Sequence, residues 1–332
     1  MKGSKFFYKK IVRLLCQNLY IYFTIPTAVV LASVIFYCGL PTTVLADTTY
    51  TVDSIAEALL TAEARFTNLR IDYIETKKGY NKPDDPVRVV EAVYAQKMLD
   101  NQDTPTRLRY HDRKVTYIDP NTKKTTYEDM LVSFDGTATT ILYRKSPYMG
   151  TEPNSTMKGY IISGYDSNQF SGLDLDPHNL IWYHARRGLG EILKDSRTTA
   201  YIERQSEVLD GISTVKVVST QVYPNKKSLT IKLWVSPERG FLPLKRQLMQ
   251  TGGRFYSETA LYDLVQLPNG MWYPKTIRSP ADPPGAPNFV YTTTYNISNI
   301  SIEPIPKEFF TPEFPPNTHV IDDITKTSYT TY

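Results

Sequence analysis

The feature that most constrains this chain is the strict alternation between Ser228 and Ser236, where Leu229, Ile231, Leu233 and Val235 interleave with Ser228, Thr230, Lys232, Trp234 and Ser236. A period of two sends the two sets to opposite faces of a strand. Pro237-Glu238-Arg239-Gly240 supplies a turn, and Phe241–Met249 returns with Leu242, Leu244 and Leu248 on one side, which predicts a β-hairpin. A second hairpin is predicted from Arg254–Leu267 and Met271–Arg278 through Pro268-Asn269-Gly270. The stretch from Thr199 to Arg278 therefore reads as one continuous antiparallel sheet, and an apolar face of that size has to be buried.

The same rhythm extends to both sides. Strands are expected over Arg70–Lys77, Val87–Met98, Thr106–Asp119, Lys124–Phe134, Ala138–Arg144 and Phe289–Ile302, divided by turn-formers such as Asp119-Pro120-Asn121 and Asp135-Gly136. Two helices interrupt the meander. Asp53–Leu69 carries Ile55, Leu59, Ala62, Phe66 and Leu69 at helical spacing, with Ser54 and Glu57 fitting a capping box. Asp176-Pro177 opens a second helical segment, Asn179–Lys194, which Gly188 and Gly190 kink or divide. Ser146–Leu175, rich in Gly, Ser and Asn, is predicted to be a long loop holding one short strand at Tyr160-Ile161-Ile162. The Phe/Pro tail from Glu303 is expected to wrap the barrel end and finish in a poorly ordered Thr/Ser/Tyr stretch. The expected fold is mainly β with α: an open, incomplete antiparallel β-barrel of roughly ten strands covered by helices.

Residues 1–46 differ from the rest. Lys2, Lys5, Lys9, Lys10 and Arg13 precede an uncharged run from Leu14 to Ala46, and Val44-Leu45-Ala46 has the small-residue spacing of a cleavage site. This reads as a secretory signal peptide or an uncleaved N-terminal anchor, followed by a single domain over 47–332, and it places the protein in the periplasm or outside the cell. Both cysteines, Cys16 and Cys38, fall in the leader, so disulfides, thiolate metal sites and a cysteine nucleophile are excluded from the remainder. Five of the 38 basic residues lie there and none of the 34 acidic ones, so the rest of the chain balances to within one charge. That balance argues against a nucleic-acid partner.

Catalytic chemistry finds no constellation. His178 and His184 stand six apart, off the spacing of a zinc helix, and no Gly-x-Ser-x-Gly elbow or phosphate-cradling glycine loop occurs. No metal, no cofactor and no enzymatic activity are expected. What remains is an apolar cavity between sheet and helices, lined by Phe66, Leu69, Leu180, Ile181, Leu229, Leu233 and Val235.

Three segments carry a family resemblance. Ser133-Phe134-Asp135-Gly136 with Leu142-Tyr143, the run from Leu233 to Pro243, and Phe310–Asp322 with its Phe-x-x-Pro and Val-x-Asp spacing are similar to motifs of the periplasmic lipoprotein-carrier superfamily, LolA/LolB-like, which includes the sigma-factor regulator RseB. In the last segment Asn317 stands where the family usually has Gly, and Asn also reaches positive φ. The resemblance implies a carrier that holds a lipid or acylated lipoprotein. Its alternative is an RseB-like regulatory protein that engages a membrane-anchored envelope partner through the sheet exterior or the Ser146–Leu175 loop.

Overall fold

Alternation built the expectation, and alternation is what the structure displays on the largest scale. The computed structural model describes residues 49–79, 82–99, 106–119, 121–145, 157–164, 176–185, 187–223, 227–251, 254–281 and 291–332. The expected leader, residues 1–46, and most of the expected Ser146–Leu175 loop lie outside the described residues. Tyr50–Tyr332 forms one compact unit.

Helix α1 (Val52–Ala64) leads into strands β1 (Asn68–Gly79), β2 (Lys82–Leu99), β3 (Thr106–Ile118), β4 (Thr125–Phe134), β5 (Ala138–Lys145) and β6 (Met157–Ser163). Two short helices, α2 (Pro177–Trp182) and α3 (Leu189–Lys194), flank a small ladder of β7 (Tyr183–His184) and β8 (Arg187–Gly188). The second meander is β9 (Thr198–Leu209), β10 (Ile212–Val222), β11 (Ser228–Ser236), β12 (Leu242–Gln250), β13 (Arg254–Gln266), β14 (Trp272–Ala281) and β15 (Tyr291–Ser301). The tail adds β16 (Thr318–Asp322) and β17 (Thr327–Thr330).

Among the described residues, fifteen strands join in one sheet in the order β17-β16-β6-β5-β4-β3-β2-β1-β15-β14-β13-β12-β11-β10-β9. The sheet does not close into a barrel, since β17 and β9 are left as its two edges. The count corrects the expected ten. The edge strand β9 is largely exposed and turns only Ala200, Ile202 and Leu209 towards the core, while the last strand, β17, is built from Thr, Ser and Tyr alone. The tail is accordingly not the poorly ordered end that was expected.

One face of the sheet carries the main core. Ile55 and Leu59 of α1, Leu180 and Trp182 of α2, and Leu189 and Ile192 of α3 share a buried cluster with Ile71, Tyr73, Val217, Leu233, Tyr273 and Tyr295 of the strands. Gly190 permits the helices to meet closely, because a Cβ there would lie 2.6 Å from the Ala56 carbonyl oxygen. On the opposite face the tail runs as a strap. Ile305 accepts Lys97 Nζ at 2.7 Å, Phe309 stacks on Tyr110 with ring centroids 4.5 Å apart, and the Phe310 carbonyl accepts Ser133 Oγ at 2.7 Å. Phe314 then fills the space left by Gly159, and β16 lands beside β6 in parallel, whereas the other pairings of the large sheet are antiparallel. Asn317, at φ 64, makes the bend that starts β16.

Helix α1 starts and stops earlier than the sequence suggests. Thr51 and Ser54, rather than Ser54 and Glu57, form the capping box, with Ser54 N donating to Thr51 Oγ1 at 3.1 Å and Thr51 N to Ser54 Oγ at 2.9 Å. Leu69 sits in β1, where Leu69, Ile71 and Tyr73 alternate into the core, so the period of two takes over from the helical spacing that linked Leu69 to Phe66.

Candidate functional site

The helices bring polar groups into the core as well as apolar ones. Asp176 caps α2 by accepting Asn179 N at 2.9 Å, and Pro177 occupies the first turn. This cap places His178 in the interior at 0 % exposure, with its Nε2 3.2 Å from Gln96 Nε2. An amide nitrogen only donates, so His178 Nε2 accepts and the proton resides on Nδ1. Gln96 also donates to the Phe66 carbonyl at 3.2 Å and accepts Tyr94 Oη at 2.9 Å. Nearby, Tyr73 Oη lies 2.9 Å from His111 Nε2.

Burial pushes His111 down to about 3, His178 well below the usual imidazole range, and His184 to about 4, with Arg113, Arg107 and Arg246 respectively acting in the same direction. Arg107 Nη2 pairs with Glu63 Oε1 at 2.5 Å, and Tyr183 donates to the same oxygen. Arg246, buried on the core face, donates to the Tyr183 carbonyl and to Thr259 Oγ1, and desolvation lowers it to about 10. Arg107 is ion-paired to Glu63, and Arg246 is hydrogen-bonded to the segment that follows α2.

Six of the seven residues expected to line a cavity, Phe66, Leu69, Leu180, Ile181, Leu233 and Val235, are buried in the main cluster, and Leu229 packs at its margin. The gap bordered by Ala62, Phe66, Trp182 and Leu242 measures about 10 Å³, and the one between Leu59, Trp182 and Leu189 has no room for a water. A space of that size holds one water at most.

A larger opening lies at the margin of the same cluster, where three turns meet. Asp210-Gly211 joins β9 to β10 with both residues at positive φ, 49 and 82, as the tightest hairpin loops require. The 3-10 turn Pro237–Arg239 joins β11 to β12 and leaves through Gly240 and Phe241 at φ 66 and 61. The β13–β14 turn closes with Leu267 N donating to the Met271 carbonyl at 2.7 Å around Gly270 at φ 79.

Between these turns is a cleft of about 290 Å³ with apolar walls from Leu209, Ile212, Leu244, Leu261, Leu264 and Trp272. Arg239, Asp210, Asp263 and Tyr262 supply its polar groups. The Arg239 guanidinium lies over the Trp272 ring, 3.8 Å from its centroid. Asp263 holds φ 54 within β13, and its Oδ2 accepts Thr276 Oγ1 at 2.8 Å. A conformation of that kind away from a turn is uncommon for a non-glycine residue. The sequence reading passed over this site, although Asp210-Gly211 between two apolar residues was a signal that placed one of its walls.

No family model and no curated protein matches the chain. Solved structures do resemble it. A DUF1329 family protein from Desulfovibrio piger aligns at TM-score 0.41 and 12% identity, covering 79% of this chain and 98% of its own. A LolA superfamily protein from Nitrosomonas europaea aligns at 0.40 and 12%, covering 80% and 99%. The lipoprotein LppX of Mycobacterium tuberculosis aligns at 0.30 and 13%, covering 77% and 97%. The likeness is at low identity throughout. At these TM-scores nothing about cargo or mechanism follows from it.

Proposed function

We propose that this is an exported, non-enzymatic lipid-binding protein that shelters one apolar chain of a lipid or acylated partner in the cleft beside Trp272. The observation that carries the reading is an apolar cleft of about 290 Å³ set against a packed core. Such a shape suits a guest with a narrow apolar part and an end that stays in water. Burying about six methylenes at ~0.8 kcal/mol each contributes roughly 5 kcal/mol, a reversible affinity.

Native mass spectrometry of the purified protein, with displacement of a fluorescent fatty acid, tests it. Co-purified lipid and displaceable probe are expected, and Leu261→Trp, which fills the cleft, removes both. Absence of lipid together with absence of probe binding refutes the reading.

A second reading, a regulatory protein that engages a membrane-anchored envelope protein, is favoured by the free edge of β9, where Tyr201 is 51% and Val208 70% exposed. One extended strand of the partner would add to that edge. A proline within β9 that abolishes partner capture and spares lipid binding would support it.

A further inference from the structure

The charges of the cleft go beyond what an apolar chain needs, and their pairing is incomplete. Arg239 makes no ion pair among the described residues, and its Nε, shielded from solvent, has no hydrogen-bond partner there. It lies instead over the face of Trp272, 3.8 Å from the ring centroid, which orients the guanidinium without neutralising it. Asp210 and Asp263 line the same cleft. Asp210 has no hydrogen-bond or ion-pair partner among the described residues, and Asp263 engages Thr276 through one oxygen. Opposite charges therefore border one cleft without pairing with each other, Arg239 half-buried and both aspartates exposed to solvent.

An unpaired guanidinium beside apolar walls calls for an anionic acceptor, and a planar donor fork fits a phosphate or carboxylate. An anion alone would face two carboxylates, and a cation alone would face Arg239. A ligand carrying one charge of each sign answers both. We propose that the cleft selects a zwitterionic amphiphile, with its anionic group against Arg239, its cationic group towards Asp210 and Asp263, and its chain among Leu244, Leu261 and Leu264. This deepens the lipid-binding reading and rests on it.

The backbone supports the division of labour. Asp210 and Asp263 stand at φ 49 and 54, a region that Asp and Asn tolerate better than other side chains. Asp210→Asn and Asp263→Asn therefore remove charge without straining either position. Arg239 lies half-buried in a surface turn, where Arg239→Gln removes charge and Arg239→Lys keeps charge but loses the planar stack.

The test uses four amphiphiles with ten-carbon chains: decylphosphocholine, decanoate, decyltrimethylammonium and decyl glucoside. Each is titrated calorimetrically into the protein below its micelle concentration. Decylphosphocholine is expected to bind roughly tenfold more tightly than the other three. Arg239→Gln is expected to erase that lead and to move the preference towards decyltrimethylammonium. The Asp210→Asn, Asp263→Asn double variant is expected to move it towards decanoate, and thermal melting confirms that each variant is folded. Should Arg239→Gln not fold, Arg239→Met removes the same charge, and the aspartate double variant tests the opposite shift.

Equal affinity for the four head groups, or a preference that the substitutions leave unmoved, overturns the zwitterion inference and leaves the lipid cleft standing. Decanoate or decyltrimethylammonium binding as tightly as decylphosphocholine does the same. Binding of none of the four overturns both.

Discussion

Acid should loosen this fold through its interior imidazoles, and His111 gives a number that can be checked. Its ring is 5 % exposed, bonded through Nε2 to Tyr73 Oη, and burial with the Arg113 charge nearby holds it down at about 3. In the unfolded chain the same group titrates near 6.5. Below that value the unfolded state takes up a proton that the folded state refuses, so stability is complete above about pH 6.5 and falls as pH falls.

Between about pH 7 and about pH 5 the difference integrates to ~2 kcal/mol for His111 alone. His178 and His184 shift in the same direction. Glu75, raised by burial in spite of Arg88, works in the opposite sense. A comparison of two proteins at two pH values isolates the His111 term.

Urea unfolding of the parent and of His111→Gln at both pH values is the assay. Glutamine retains a partner for Tyr73 and does not titrate. The parent should lose ~2 kcal/mol more than the variant on going from about pH 7 to about pH 5. The same loss in both proteins would refute the assignment of a neutral buried imidazole.

Four further outcomes are expected. Gly190→Ala, whose new Cβ would meet the Ala56 carbonyl and the Leu60 side chain, should cost about 1 to 3 kcal/mol in a chemical melt. Leu233→Ala, at 1 % exposure, should cost about 2 to 5 kcal/mol and leave amphiphile affinity unchanged in the protein that remains folded, since Leu233 belongs to the core and not to the cleft. Asn317→Ala should destabilise by about 1 kcal/mol because of its φ of 64, whereas Asn317→Gly should be near neutral, as melting temperatures would show. Arg107→Met leaves Glu63 without its cation, and a loss of about 3 kcal/mol is expected by urea titration.

The strands whose two faces differ were readable. Ser228–Ser236 coincides with β11 from end to end, and Asp176-Pro177 opens α2 as its residue types require. Asn317 takes the left-handed conformation its place in the closing motif implied. Where a strand turns only a few apolar residues to the core, as β9 does with Ala200 and Ile202, the period of two is too short to stand out. The tail was expected to wrap the barrel end, but its partners were not legible, because Phe309, Phe310 and Phe314 pack against strands far away in the chain, and local pattern carries no trace of such a partner.

The cleft was illegible for a related reason. Its walls come from three turns that are distant in sequence and meet only through the register of β9 to β14. Arg239 looked like an ordinary turn residue until Trp272 was placed beneath it. His178 was weighed as a metal ligand and set aside, whereas its place is an interior hydrogen-bond chain that the helix cap creates.

The parallel seam between β16 and β6 bears on biosynthesis. Those strands are separated by more than half the domain, and the later one reaches its berth after the intervening meander has been translated. A ribosomal product that stops short of Phe314 would present β6 as a raw margin, with Gly159 stripped of that ring. Closure of that margin thus reports that translation has run through to the tail, and truncated chains are the ones most exposed to sticking to each other.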